Sequence, residues 1–242
     1  MVYKTKIIHM MLRTLIFYII LSIWTIFMGI LSLPYLFLPS SLIRTPAKFW
    51  IKGIFLSLEL ICKVTHELRG LDNLPDEPVI IVSKHQSAFE TFALFYYLNK
   101  SFFVHKKQLY YIPIFGQYLL KSNMVAINRS GHASAMRKML NDVKVKLDEG
   151  SSIIIFPEGT RKLPGDKPDY KTGFIGIYNI TNRKILPVAL NSGLCWPKHS
   201  RIIKKGHIVI QILQTIDANL EKKEVLKKVE ELIEDSTRKL LI

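Results

Sequence analysis

Apolar positions are distributed very differently along the two parts of this chain. From Thr14 to Leu38 no residue is charged, and most are aliphatic or aromatic. A helix rises about 1.5 Å per residue, so a run of this length covers roughly the 30 Å of bilayer hydrocarbon. Lys4, Lys6 and Arg13 precede it, as in a signal peptide, but no small-x-small cleavage site closes it. Pro34 and Pro39 end or kink the run instead. A second apolar stretch, Phe49 to Val64, is interrupted by Lys52, Glu59 and Lys63. Two arrangements fit: one membrane span, or a helical pair embedded in one leaflet. Basic residues flank the first run on both sides, so loop charge assigns no orientation.

Beyond residue 69 the pattern changes. Arg69 to Pro78 is rich in turn-forming residues and divides an N-terminal membrane-anchoring segment, 1–68, from a domain at 69–242. Short apolar runs then predict strands at Val79–Ser83, Phe102–His105, Met124–Asn128, Ser152–Phe156, Ile185–Leu190 and His207–Ile212. Met136, Met139, Leu140, Val143 and Leu147 recur at helical spacing between two of them. Alternation of this kind predicts an α/β fold with a largely parallel sheet flanked by helices. A last helix is expected from about Glu221 to Leu241, capped by Asp217 or Asn219, with Leu226, Val229, Leu232 and Ile233 as its buried stripe.

Composition narrows the partners. Of the 242 residues, 49% are hydrophobic, yet the net charge is +15. That pairing favours an anionic membrane surface over nucleic acid, for which no zinc-finger, RNA-recognition or basic-zipper pattern is present. Cys62 and Cys195 stand far apart in apolar contexts and read as buried thiols; no metal-ligand spacing occurs.

The chemistry concentrates after two of the expected strands. Val79–Val82 leads into Lys84-His85-Gln86-Ser87-Ala88-Phe89-Glu90, and Ser152–Ile155 leads into Phe156-Pro157-Glu158-Gly159-Thr160-Arg161. Strand ends of an α/β sheet are where ligands bind. His85 is the candidate general base, since neutral imidazole can take a proton from a hydroxyl. Five residues along a helix span about 500°, so His85 and Glu90 meet only if His85 lies in the loop and Glu90 in the first helical turn. Ser87 would then be the N-cap, and Glu90 either its capping-box partner or the group that orients His85. Arg129 and Arg161 suit a phosphate, which guanidinium groups bind bidentately. Gly159 permits close backbone approach to an anion, and Thr160 offers a further donor. Glu158 carries the wrong charge for an anion, so it would orient an arginine or receive a glycerol hydroxyl. Lys106, Lys107 and Lys171 would extend the positive field. Tyr110, Tyr111, Ile112, Ile114 and Phe115 would line an acyl groove or belong to the core. No Gly-x-Ser-x-Gly and no Walker A sequence is present, which disfavours a covalent acyl-enzyme and nucleotide hydrolysis.

Taken together, His85…Glu90, Ile127-Asn128-Arg129, Phe156–Arg161 and Ile185-Leu186-Pro187-Val188 resemble the four blocks of the glycerophospholipid acyltransferase family, particularly the bacterial lysophosphatidic acid acyltransferases. The likeness covers about residues 70 to 215. The commonest acid of the first block is Asp; Glu90 here widens the relatives to lipid A-type acyltransferases. The resemblance implies transfer of a fatty acyl group from acyl-CoA or acyl-carrier protein to the sn-2 hydroxyl of lysophosphatidic acid, giving phosphatidic acid, with no cofactor or metal. It also implies an inner-membrane enzyme whose catalytic domain faces the cytoplasm, with Pro187 shaping the far wall of the pocket. Two alternatives stay open: another lysolipid or lipid A precursor as acceptor, or a catalytically silent protein that binds anionic lipid.

Overall fold

A computed structural model describes residues 2–122, 124–128, 132–198, 200 and 202–242. Seven strands form one sheet: β1 Val64–Arg69, β2 Ile80–Ser83, β3 Ser101–Lys106, β4 Val125–Ile127, β5 Ser152–Ile155, β6 Ile185–Leu190 and β7 Gly206–Ile212. Their spatial order is β1-β7-β6-β2-β5-β3-β4. The five strands from β6 to β4 are mutually parallel, while β7 runs antiparallel to β6 and carries β1 alongside it. The largely parallel sheet is therefore as expected. The unexpected strand is β1, which lies upstream of residue 69. Its sequence, Val-Thr-His-Glu-Leu-Arg, is mostly polar because it forms a sheet edge, where charged side chains deter further pairing.

The side-chain alternation of each strand sorts the core into two layers. Val79, Ile81, Ile154, Leu186, Val188 and Leu190 face one layer; Ile80, Val82, Ile153 and Ile185 face the other. The first is covered by α2 Arg44–Ser57 and α3 Phe89–Tyr97, with Phe17 of α1 Val2–Leu31. The second is covered by α5 His132–Asp148, α6 Gly173–Thr181 and α7 Lys222–Leu240. A short helix, α4 Phe115–Lys121, lies between β3 and β4 in sequence. In α5, Met139, Val143 and Leu147 are buried, while Met136 is exposed. In α7 the buried stripe is Val225, Val229, Ile233 and Thr237, so Val229 and Ile233 are as expected, while Leu226 and Leu232 pack partly buried at its side. Its N-cap is Glu221, not Asp217 or Asn219, and no side chain closes it.

The N-terminal helix contains a stretch, Thr5–Leu31, long and apolar enough to cross a membrane. It does not stand clear of the domain. It folds back on α2, where Trp24 donates its indole N–H to the Trp50 carbonyl (2.9 Å) and Trp50 donates to Thr25 Oγ1 (3.0 Å). Gly53 makes this approach possible, because a Cβ there would meet the Trp24 ring at 2.3 Å. Further along α1, Phe17 is fully buried against the Trp196 ring, edge to face at 5.5 Å. Trp196 donates to Tyr18 Oη (3.0 Å), and the Ile203 N–H donates to Thr14 Oγ1 (2.9 Å). Burying one Phe contributes about 1.5–3 kcal/mol. The opposite flank of α1, with Ile8, Leu15, Ile19, Ile23, Ile26 and Ile30, is exposed and apolar. Arg44 is not a loop charge at the end of the anchor. Its guanidinium donates to the carbonyls of Phe95 and Leu98 at the end of α3 and stacks on the Phe95 ring at 4.0 Å.

Candidate active site

β6, β2 and β5 are adjacent and parallel, so their carboxyl ends open at one edge of the sheet. That edge brings together the loop after β2, the loop after β5 and Asn191-Ser192-Gly193 after β6. Strand parity then aims the side chains. Lys84 follows Ile80 and Val82 toward the α7 layer, and His85 points to the α3 layer. Phe156 follows Ile154 to the same layer, where its ring stacks on the His85 imidazole at 3.9 Å and 14°. Phe103 supports Phe156 from β3 at 5.9 Å.

His85 lies in the loop and Glu90 in the first turn of α3, as the angular argument requires. His85 Nδ1 is 2.8 Å from Glu90 Oε1. The same oxygen accepts the backbone N–H groups of Gln86 and Ser87, each at 2.7 Å. Glu90 Oε2 accepts from Ser192 Oγ at 2.7 Å. Glu90 thus both caps the helix and orients the imidazole; the two readings are one arrangement. Ser87 completes the cap by accepting the Phe89 N–H at 3.1 Å. An ionised carboxylate only accepts, so Nδ1 carries the hydrogen and Nε2 is left as an acceptor. Glu90 is fully buried, whereas the His85 side chain keeps 16% exposure, so only the imidazole can meet a substrate. Ser192 is the site residue that sequence reasoning missed: it stands 102 positions from Glu90 and lies in no expected motif. Gly193 joins the same contact by donating its N–H to Gln86 Oε1 at 3.0 Å.

The loop after β5 turns back beneath His85. The Gly159 N–H donates to the Phe156 carbonyl at 3.1 Å, and Gly159 adopts φ +65°, which a side chain would strain. The Lys162 N–H donates to the His85 carbonyl at 2.8 Å, so the backbone at Arg161 runs beside that of His85. The Arg161 guanidinium is partly exposed and has no hydrogen-bond or ion-pair partner among the described residues. Thr160 accepts from Lys198 Nζ at 2.9 Å. Arg129 lies outside the described residues.

Two expected placements are corrected. Glu158 faces neither an arginine nor open space. It is buried, paired with Lys84 Nζ at 2.7 Å, and accepts the His85 backbone N–H at 3.0 Å. Burial holds its carboxyl above the usual range, against the opposing pull of Lys84. Pro187 does not lie on the His85 side of the sheet. It is buried inside β6 opposite Val82, with the parity that faces the α7 layer. Lys106, Lys107 and Lys171 are exposed, with Lys171 paired to Asp169. Tyr111, Ile112, Ile114 and Phe115 are exposed rather than core. They adjoin the end of α1, where Tyr118 donates to the Gly29 carbonyl at 2.7 Å. Among the described residues no cluster of three or more His, Cys, Asp or Glu could hold a metal ion.

An imidazole with one nitrogen fixed by a buried carboxylate and the other free is the arrangement of a general base. Residues 65–191, which contain this arrangement, match the model of the Acyltransferase family. The chain belongs to that family. It is 32% identical over 191 residues to the 1-acyl-sn-glycerol-3-phosphate acyltransferase of Pseudomonas aeruginosa, covering 77% of this chain and 74% of the relative. A chloroplastic 1-acyl-sn-glycerol-3-phosphate acyltransferase of Arabidopsis thaliana, LPAT1, is 31% identical over 70% of this chain; the chain spans 47% of that relative's length. Among solved structures, the 1-acyl-sn-glycerophosphate acyltransferase PlsC of Thermotoga maritima superposes with a TM-score of 0.78 at 26% identity, covering 96% of both chains.

Proposed function

We propose that this chain acylates the sn-2 hydroxyl of lysophosphatidic acid, using acyl-CoA or acyl-carrier protein as thioester donor, and so forms phosphatidic acid. The observation that carries this reading is the His85–Glu90 pair, which leaves Nε2 free, with the unpaired Arg161 on the loop whose Lys162 N–H donates to the His85 carbonyl. His85 Nε2 takes the proton of the acceptor hydroxyl as its oxygen attacks the thioester carbonyl. The tetrahedral adduct then collapses, the C–S bond breaks, and the imidazolium returns the proton to the leaving thiolate. Glu90 stays ionised and stabilises the imidazolium. Arg161 holds the phosphate monoester bidentately, and Arg129 is its partner in the clamp.

The anchor is read as a helical pair lying in one leaflet of the inner membrane, with the domain facing the cytoplasm. Thr14 and Phe17 support this, because a helix crossing the bilayer alone would not give part of its apolar stretch to the domain. The exposed apolar flank of α1 and the apolar 111–115 segment would then face lipid.

The test is transfer of a labelled acyl group by purified, detergent-solubilised protein, with lysophosphatidylcholine as competing acceptor. Phosphatidic acid from the wild type but not from His85→Ala is expected. Equal rates on both acceptors would refute phosphate-monoester recognition, and no product from either donor would refute the reaction.

A further inference from the structure

The C-terminal helix reaches the active-site loop through a buried chain of contacts. Lys84 is one of the largest fully buried side chains in the protein. Its ammonium touches Glu158 Oε1 at 2.7 Å and Glu234 Oε1 of α7 at 2.6 Å. The same Glu234 oxygen accepts from Tyr170 Oη at 2.9 Å. Glu158, with its other oxygen, accepts the backbone N–H of His85. One ammonium therefore lies between two carboxylates, one fixed to the backbone of the base and one on a helix 150 residues away. A buried ammonium cannot be left unpaired, so the position of Lys84 follows the position of both carboxylates. The Tyr170 hydroxyl, pushed far up by burial and by the two carboxylates, stays a donor and fixes Glu234 in turn.

We propose that Glu234 is a positioning residue for His85: acting through Lys84 and Glu158, it sets the backbone from which the imidazole projects. This rests on the reading of His85 as the base. In the α7 sequence Glu234 is one of many charges beside an apolar stripe, and nothing local distinguishes it. A solvated helix-face carboxylate would leave turnover alone. A positioning carboxylate would change the rate of the chemical step without changing how substrates bind, because a displacement of about 1 Å at the reacting group can cost 10²-fold.

The test compares full-length Glu234→Leu, Glu234→Gln and Tyr170→Phe in detergent. Each is assayed for kcat and KM with acyl-CoA and lysophosphatidic acid, and each His85 is assayed for its rate of carbethoxylation by diethyl pyrocarbonate, located by mass spectrometry. Glu234→Leu is expected to lower kcat by about 10- to 100-fold, with KM within about twofold. Glu234→Gln keeps an acceptor oxygen for Lys84 and Tyr170, so it is expected to recover most of that loss. Tyr170→Phe is expected to lower kcat several-fold in a protein that stays folded. A folded Glu234→Leu with wild-type kcat would overturn the proposal, as would equal impairment of Leu and Gln. If Glu234→Leu does not fold, Tyr170→Phe decides, and an unchanged kcat there overturns it. If the wild type transfers nothing to lysophosphatidic acid, the substrate assignment fails but the labelling still decides. A several-fold change in His85 labelling in either altered protein supports the positioning role, and equal rates refute it.

Discussion

Two buried carboxylates hold His85, and they are kept in place by opposite means. Glu90 grips the ring and is surrounded by neutral donors: an imidazole N–H, two backbone N–H groups and the Ser192 hydroxyl. Glu158 grips the backbone and is matched by a full charge, Lys84. Hydrogen bonds to an ionised carboxylate are strong and directional, and they fix a tautomer. A buried ion pair fixes position but offsets most of its attraction against desolvation. One histidine thus receives direction from one side and location from the other. Losing Glu90 should cost rate with the fold kept, and losing Glu158 should cost stability as well as rate.

The largest expected effect is that of Glu90→Gln. The amide cannot accept from all of its neighbours and presents a donor to Nδ1, which favours the wrong tautomer. A fall in kcat of about 10³-fold or more is expected, with the fold retained by circular dichroism. A variant within tenfold of wild type would show that the ring needs no fixed tautomer. Glu158→Leu should lower stability by about 3–5 kcal/mol in addition to lowering kcat, because it removes one partner of a buried pair. Chemical denaturation reads this directly, and an unchanged midpoint would remove the distinction between the two carboxylates. Ser192→Ala deletes one of the donors to Glu90 and nothing charged. About 1–3 kcal/mol of that carboxylate's anchoring is at stake, and kcat should drop by about tenfold at an unchanged KM.

The smallest effect tests a histidine behind the site. His66 is enclosed by Phe55 and Phe89 and shares a hydrogen bond with Tyr97 Oη at 2.8 Å. Burial, the dominant cause, lowers its pKa below the ordinary 6.5. The unfolded chain therefore binds this proton more readily than the folded one. Stability from the neutral ring is present above pH 6.5 and is lost as pH falls through the lowered value. A midpoint that falls between pH 7 and pH 5 in the wild type, but less in His66→Phe, is expected. Equal falls would place the acid-sensitive group elsewhere.

Much of this site is legible in the chain because its parts are local. The interval between His85 and Glu90 determines that they meet at a helix start, and the apolar runs before each block place both at strand ends. Phe156 is aimed at the base by strand parity alone. What stays hidden depends on contacts between distant segments. Lys84 reads as a surface charge beside a catalytic residue until α7 is seen to cover that face. Glu158 reads as a ligand-facing acid for the same reason, and Ser192 has no pattern at all. The strand β1 is obscured in another way: an edge needs polar side chains, so its composition argues against the conformation it adopts.

The segment from Ser192 to Ile203 serves two neighbours. One end supplies the hydroxyl that steadies Glu90; the other receives Tyr18, Phe17 and Thr14 of the first helix. Shortening the chain to 45–242 to obtain a smaller protein would therefore do more than remove its long apolar helix. It would bare the Trp196 ring, strip a partner from the Ile203 amide, and free the α3 carbonyls that Arg44 now covers. A crystallographer seeking a smaller, better-behaved version would be removing part of the scaffold beneath the carboxylate that orients His85, and should keep the first helix and shield its outer flank instead.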